Sequence, residues 1–252
     1  MTKLIILGSS NAIATENHEN THMVLVGEKR TVLVDCVSSP LLRLERAGVD
    51  FNQVSDLILT HFHPDHVSGV PLLLMDMWLL GRRAPLKIHG LEHTLERVEN
   101  LMGFYGWKNW PAFFPVEFSR VAPVERTLIL TSEDFRLYTS PVRHLIPTIG
   151  LRIESAASGK VIAYSCDTEP CQEVAHLAGS ADILIHEAAG AGRGHSSAAQ
   201  AADIAREAEV GRLLLIHYPT GRHSADDIVG EARAHFQGAV ALAEDFMELE
   251  MD

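Results

Sequence analysis

Apolar and polar positions change places in short runs along this chain, and most apolar runs have the length of a strand. Such runs predict strands at Lys3–Leu7, His22–Val26, Thr31–Val34, Val54–Leu59, Leu86–His89, Arg126–Leu130, Asp134–Ser140, Thr148–Glu154, Lys160–Ser165, Asp182–His186 and Arg212–Ile216. Gly27-Glu28-Lys29-Arg30 joins the second and third as a hairpin. Helical spacing predicts helices at Pro40–Ala47, Val67–Leu80, His93–Leu101, Glu173–Leu177, Ser197–Glu209 and Ile228–Phe236. Ser197 caps one of them, and Ser224-Ala-Asp-Asp opens the last. Residues 102–119 break the pattern and read as a loop-like, aromatic-rich insertion. Its aromatics at 104–114 suit a pocket wall, a lid, a dimer surface or ordinary core. Strands lead and helices follow in each half. That order predicts an α/β (α+β) chain of two β-layers covered by helices on both outer faces.

Polar residues that close apolar runs carry the chemistry. The run Val54–Leu59 leads into His61-Phe-His-Pro-Asp-His66, four metal-capable side chains within six residues. A polar cluster this dense at the end of a buried strand has no packing purpose. His61 and His63, two apart, point the same way on an extended backbone, while the adjacent Asp65 and His66 point apart. This favours two metals, one taken by each half. Imidazole nitrogen and carboxylate oxygen suit zinc, manganese or iron at a hydrolytic centre.

HxHxDH behind an apolar strand resembles the second motif of the metallo-β-lactamase superfamily. The resemblance continues through His144, in Ser-Pro-Val-Arg-His-Leu-Ile-Pro, through Asp167, in Tyr-Ser-Cys-Asp-Thr, and through His217, which ends Leu-Leu-Leu-Ile-His. It implies a four-layer αββα sandwich, one metallo-β-lactamase-like domain over residues 1–252. It assigns His61, His63 and His144 to a first metal and Asp65, His66 and His217 to a second, with Asp167 bridging them. Two divalent transition metals are implied, zinc foremost, with manganese or iron as alternatives. A bridge between two cations must be an anion, which a carboxylate is and an imidazole is not. By the same resemblance Asp35 orients a ligand from behind rather than binding metal. His186-Glu187-Ala188-Ala189 and His195-Ser196-Ser197-Ala198 resemble two loops of the ribonuclease Z branch, and so does the opening loop from Leu7-Gly8-Ser9-Ser10 to Asn20-Thr21. In that branch the second loop's His meets the scissile phosphate or helps the leaving oxygen, and the first loop's Glu steers it. His195 and Glu187 therefore join Asp65 as candidate catalytic residues. The expectation is a dinuclear phosphodiesterase related to ribonuclease Z. The same metals would polarise a carbonyl equally well, so a carboxylic or sulfate ester or lactone hydrolase is the rival. A metal-binding sensor with vestigial activity is the rival from another class, and the intact set of seven ligands speaks against it.

Charge and spacing narrow the substrate. The formal net charge is −12 and the pI near 5.6, which argues against a broad nucleic-acid surface. The tRNA-processing members of the branch insert a long arm between the third-motif His and the bridging Asp. Here 23 positions separate His144 from Asp167, enough for two strands and the turn at Ala157-Ser158-Gly159-Lys160. A small molecule or short nucleic acid is the expected partner, tRNA is doubtful, and a homodimer stays open. Arg152, Arg193 and Arg222 are candidates to meet a substrate anion. Three cysteines, Cys36, Cys166 and Cys171, without finger spacing suit a reducing cytosol. Cys166 stands where the branch often has Gly, either as a small buried residue or as a thiol that joins the site. The first apolar run is too short for a signal peptide and none is long enough to span a bilayer, so the expected location is cytoplasmic, with no membrane partner.

Overall fold

In the first half of the chain, a computed structural model places β1 (Lys3–Gly8), β2 (His22–Val26), β3 (Thr31–Val34), α1 (Pro40–Arg46) and β4 (Val54–Ile58). They are followed by α2 (Pro64–Val67), α3 (Val70–Leu79), β5 (Leu86–Leu91), α4 (Glu92–Phe104) and β6 (Val116–Val121). The second half holds β7 (Thr127–Thr131), β8 (Phe135–Val142), β9 (Thr148–Ser155), β10 (Val161–Tyr164), α5 (Gln172–Ala178) and β11 (Ile183–Glu187). It ends with α6 (Ala198–Glu207), β12 (Arg212–Ile216), α7 (Ile228–Arg233), β13 (Ala239–Leu242) and β14 (Glu248–Glu250). The structure describes residues 2–223 and 227–252.

Two seven-stranded sheets result, ordered β14-β1-β2-β3-β4-β5-β6 and β13-β12-β11-β10-β9-β8-β7. Both follow one plan. Antiparallel pairing runs through β1, β2 and β3 in the first sheet and through β7 to β10 in the second. Parallel pairing then runs through β3 to β6 and through β10 to β13. One buried cluster, with Leu25, Val34, Phe135, Leu151, Tyr164 and Leu214, lies between the sheets. A second packs α5, α6 and α7 on the outer face of the second sheet, and a third packs α1, α3 and α4 on the first. These are the four αββα layers expected from the order of elements.

Several boundaries depart from expectation. The helix expected over Val67–Leu80 begins late, as α3 at Val70, with Ser68-Gly69 separating it from α2 at Pro64–Val67. A Cβ at Gly69 would sit 2.7 Å from the Val37 backbone, and the Gly69 N–H donates to the Cys36 carbonyl. The chain must pass close there, and an unbroken helix could not. The segment 102–119 is less loop-like than expected: α4 runs into it, Trp107–Asn109 forms a 3-10 turn, and β6 closes it. Trp107 and Phe114 are buried, Trp78 stacks on Trp110 at 4.9 Å, and Phe104 and Tyr105 are exposed. β13 and β14 were not expected, being short and, in β13, half alanine. The last helix begins at Ile228, where the Asp227 carboxylate accepts from the Gly230 N–H; Ser224, Ala225 and Asp226 lie outside the described residues.

Candidate metal centre

The polar residues singled out above gather at the carboxyl ends of the parallel strands, the rim where open α/β sheets bind ligands. β3 delivers Asp35, β4 the segment His61–His66, β10 Asp167, β11 Glu187 and β12 His217, while His144 lies between β8 and β9. The backbone pays locally for this arrangement. Asp35 (φ 58°), Cys166 (φ 54°) and His217 (φ 54°) all take the left-handed conformation that side chains disfavour. Such residues cluster at functional sites, where surrounding structure holds them. The φ of Cys166 also explains why glycine suits that position.

The seven residues form two clusters. Ring nitrogens of His61, His63 and His144 lie within 4.8 Å of one another. His63 Nδ1 is 3.0 Å from His61 Nε2 and 3.2 Å from His144 Nε2. Asp65, His66, Asp167 and His217 form the second set within the same span. Asp167 Oδ2 lies 3.3 Å from His217 Nε2, 3.5 Å from His66 Nε2 and 3.9 Å from both His61 Nε2 and His144 Nε2. It is the one carboxylate that reaches both clusters among the described residues. Asp65 Oδ2 lies 3.6 Å from His66 Nε2 and 4.0 Å from His217 Nε2.

Hydrogen bonds on the outer side fix most of the rings. His66 Nδ1 donates to Asp35 Oδ2 at 2.8 Å, and His144 Nδ1 donates to the Gly194 carbonyl at 2.6 Å. His217 Nδ1 meets Thr21 Oγ1 at 3.2 Å; that hydroxyl gives its proton to the Ser10 carbonyl, so it accepts from the ring. Thr60 Oγ1 gives its proton to Asp35 and likewise accepts from His61 Nδ1 at 3.1 Å. Four rings therefore turn Nε2 inward, as metal-binding imidazoles do, a lone pair in the neutral rings of His61, His144 and His217 and a nitrogen that sheds its proton to a metal in His66. Burial holds His61 well below the ordinary histidine pKa, His217 at about 4, and His63 and His144 below the ordinary value, so these rings are neutral at pH 7. Burial lowers His66 too, but Asp167 and Asp35 outweigh it and raise its pKa well above the ordinary value.

This donor set fits cations. The inward Nε2 lone pairs of His61 and His144 converge with His63 Nδ1, three ring nitrogens of neutral rings within 4.8 Å of one another. Among the described residues, His66 Nε2 and Asp167 Oδ1 are buried without a hydrogen bond, which folded proteins rarely leave uncompensated.

Beside the clusters stands His195, whose ring lies 4.9 Å from that of His144 and 6.0 Å from that of His217, nearly parallel to the latter. Its Nδ1 is 2.9 Å from Glu187 Oε1, which also accepts the N–H groups of Thr168 and Ser196; Oε2 accepts that of Ala189. Burial pushes the Glu187 carboxyl up to about 7, while its hydrogen bond raises His195. The Ser197 capping box with Gln200 fixes the start of α6 just beyond.

Other candidates separate. Arg152 does not face the centre: it pairs with Glu154 and donates to the Leu177 and Gly179 carbonyls at the end of α5, whose unpaired carbonyls attract a cation. Arg193 is exposed on the loop before His195, and Arg222 is exposed in the 3-10 turn Gly221–His223. The Cys166 thiol is fully buried, 3.6 Å from His61 Nδ1, and burial pushes its pKa well up. Sequence reasoning missed Thr21, Thr60 and the Gly194 carbonyl as supports of the rings. Backbone carbonyls carry no residue signature, and a threonine beside a strand is too common to stand out.

A family profile described as "Anti-Pycsar protein Apyc1" matches residues 2–240. Ribonuclease Z of Methanothermobacter thermautotrophicus is 26% identical, across all of this chain and 97% of its own length. Its alignment runs over 306 positions against 252 residues here, so it carries segments this chain lacks. Among solved structures, a metallo-β-lactamase fold protein of Bacillus subtilis superposes with TM-score 0.83 at 23% identity, covering 98% of each chain. The short form of human tRNase Z superposes with TM-score 0.77 at 22% identity, covering 99% of each. The fold is that of the metallo-β-lactamases.

Proposed function

The chain belongs to the family of the Anti-Pycsar protein Apyc1, and from that premise we propose that it is a dinuclear metal-dependent phosphodiesterase acting on a small or single-stranded substrate. The observation that carries this reading is the meeting of a three-histidine cluster and an Asp65–His66–Asp167–His217 cluster at Asp167. His61, His63 and His144 would hold one ion and Asp65, His66 and His217 the other, with Asp167 shared. Zinc suits the nitrogen-rich set best, and manganese or iron are the alternatives. When bound, such a pair supplies a water nucleophile at neutral pH and neutralises charge on phosphoryl oxygens.

The remaining steps belong to the chain. Glu187 holds His195 by Nδ1 and raises its pKa, so the ring keeps a proton and offers it to the departing oxygen. Four donors fix that carboxylate, three of them backbone N–H groups, which locks the ring's orientation before substrate arrives. Asp65, less deeply buried than Asp167, can align a water at the mouth of the site. Ribonuclease Z names the relatives' activity, and their names support a phosphoester substrate. A tRNA substrate is disfavoured because β9 and β10 join through a short turn, where an arm would have to emerge. The test is turnover of bis(p-nitrophenyl) phosphate, p-nitrophenyl phosphate, esters and lactones by zinc-loaded protein. The diester should lead; activity on lactones with silence on every diester would overturn the proposal in favour of a lactonase.

A further inference from the structure

We propose that Glu169 is a positioning residue that clips the glycine-rich loop 190–194 to the site, setting His144 and His195 together. It rests on the reading of His144 as a metal ligand and His195 as a proton donor.

Glu169 lies two residues beyond Asp167. Its Oε1 accepts the Gly194 N–H at 2.8 Å. The carbonyl of the same glycine accepts from His144 Nδ1 at 2.6 Å. One residue thus transmits the position of Glu169 to the ring that faces His63, and the next residue in the chain is His195. The main chain of Glu169 grips the other side: its N–H donates to the Arg143 carbonyl at 2.7 Å. Thr168 adds a second grip there, its Oγ1 accepting the Arg143 N–H at 3.1 Å. The turn at 167–169 therefore holds the segment bearing His144 by the Glu169 N–H and the Thr168 hydroxyl, and the loop bearing His195 by the Glu169 side chain.

The loop needs such a clip. Gly190 (φ 116°) and Gly194 (φ 84°) adopt conformations that other residues rarely take, and such a loop has many alternatives. Gly194 also sits very close: a Cβ there would lie 2.9 Å from Leu145 Cγ and 3.0 Å from His144 Nδ1. The absence of a side chain lets the backbone reach His144, and the carboxylate hydrogen bond holds it there. A bond from an amide to a carboxylate is stronger and more directional than one to a neutral acceptor.

Three readouts separate positioning from general stability. In Glu169→Ala, hydrogen exchange at the Gly194 amide should quicken about tenfold while the core strands stay protected. The more weakly held of two zinc ions, titrated against a chromophoric chelator, should lose about tenfold in affinity, as when a ligand's supporting hydrogen bond is removed. For diesters with poor leaving groups, kcat should fall about tenfold further than for p-nitrophenyl diesters, with KM little changed. Glu169→Gln keeps an acceptor and should recover most of each loss. Gly194→Ala should weaken the same zinc ion with Glu169 intact, which keeps the idea testable if the alanine variant at 169 folds poorly. Unchanged Gly194 exchange and unchanged zinc affinity in Glu169→Ala would overturn the proposal. A wild-type protein that cleaves no diester would instead sink the phosphodiesterase reading, and the exchange and zinc arms would still decide the role of Glu169.

Discussion

Where His61, His63 and His144 meet as three neutral rings, Asp65, His66, Asp167 and His217 meet around two carboxylates. The neutral half is steadied by uncharged groups, the Thr60 hydroxyl and the Gly194 carbonyl. Its nearest carboxylate, Asp167, stands 3.9 Å away, and His63 is half-exposed. The charged half has Asp167 in front and Asp35 behind, and both His66 and His217 are buried. A dication gains more from anions in a buried setting than from neutral donors. The two halves should therefore hold their ions unequally. An ion in the neutral half depends on Asp167 for charge and on a loop for ring position.

The largest effect should come from removing what the halves share. Asp167→Asn should lose at least one ion by elemental analysis and lower kcat by about 10³-fold, on the order of the several kcal/mol that metal ions supply. Full occupancy of both sites in this variant would show that the halves do not depend on Asp167. His195→Ala comes next: both ions should stay, and kcat for poor leaving groups should fall about 10²–10⁴-fold, less for p-nitrophenolate. Loss of an ion would instead make His195 a ligand, its ring nitrogen lying within 4.8 Å of ligand atoms of His144 and Asp167.

Asp35→Asn sharpens the contrast. It weakens the acceptor that His66 bonds directly and should lower affinity in the charged half about 10- to 100-fold, while the neutral half, reached only through Thr60 and His61, should lose less. Equal loss from both would show the halves to be one unit. A separate effect concerns stability rather than metal binding. His22 and His186 are buried, and burial lowers both to about 4 from 6.5. The unfolded chain therefore takes up protons that the folded chain refuses as pH falls from about 6.5 to about 4. Stability should drop through that window by up to about 1.4 kcal/mol per pH unit for each. Urea unfolding of His22→Gln, which cannot charge, should show a shallower fall than the parent; an identical slope would contradict the assignment.

The fold and the ligand candidates were legible because both rest on side chains. Apolar runs closed by His61, Asp167 and His217 mark strand ends whatever the backbone does, and strands alternating with helices imply the layers. What could not be read was backbone. The break at Gly69 comes from the close passage of Val37, the left-handed turn at Cys166 has no glycine to announce it, and the support of His144 is a carbonyl. Arg152 misled because a charge within a strand looks alike whether it meets a substrate or the carbonyls at the end of a helix.

The central claim is a pair of unequal metal sites joined by one aspartate. Calorimetric titration of zinc into metal-stripped protein tests it most directly. The account predicts two ions per chain in two resolved steps, the weaker step lost first under chelation and weakened further in Glu169→Ala. A single ion per chain, or two ions of equal affinity indifferent to Asp35→Asn, would contradict it.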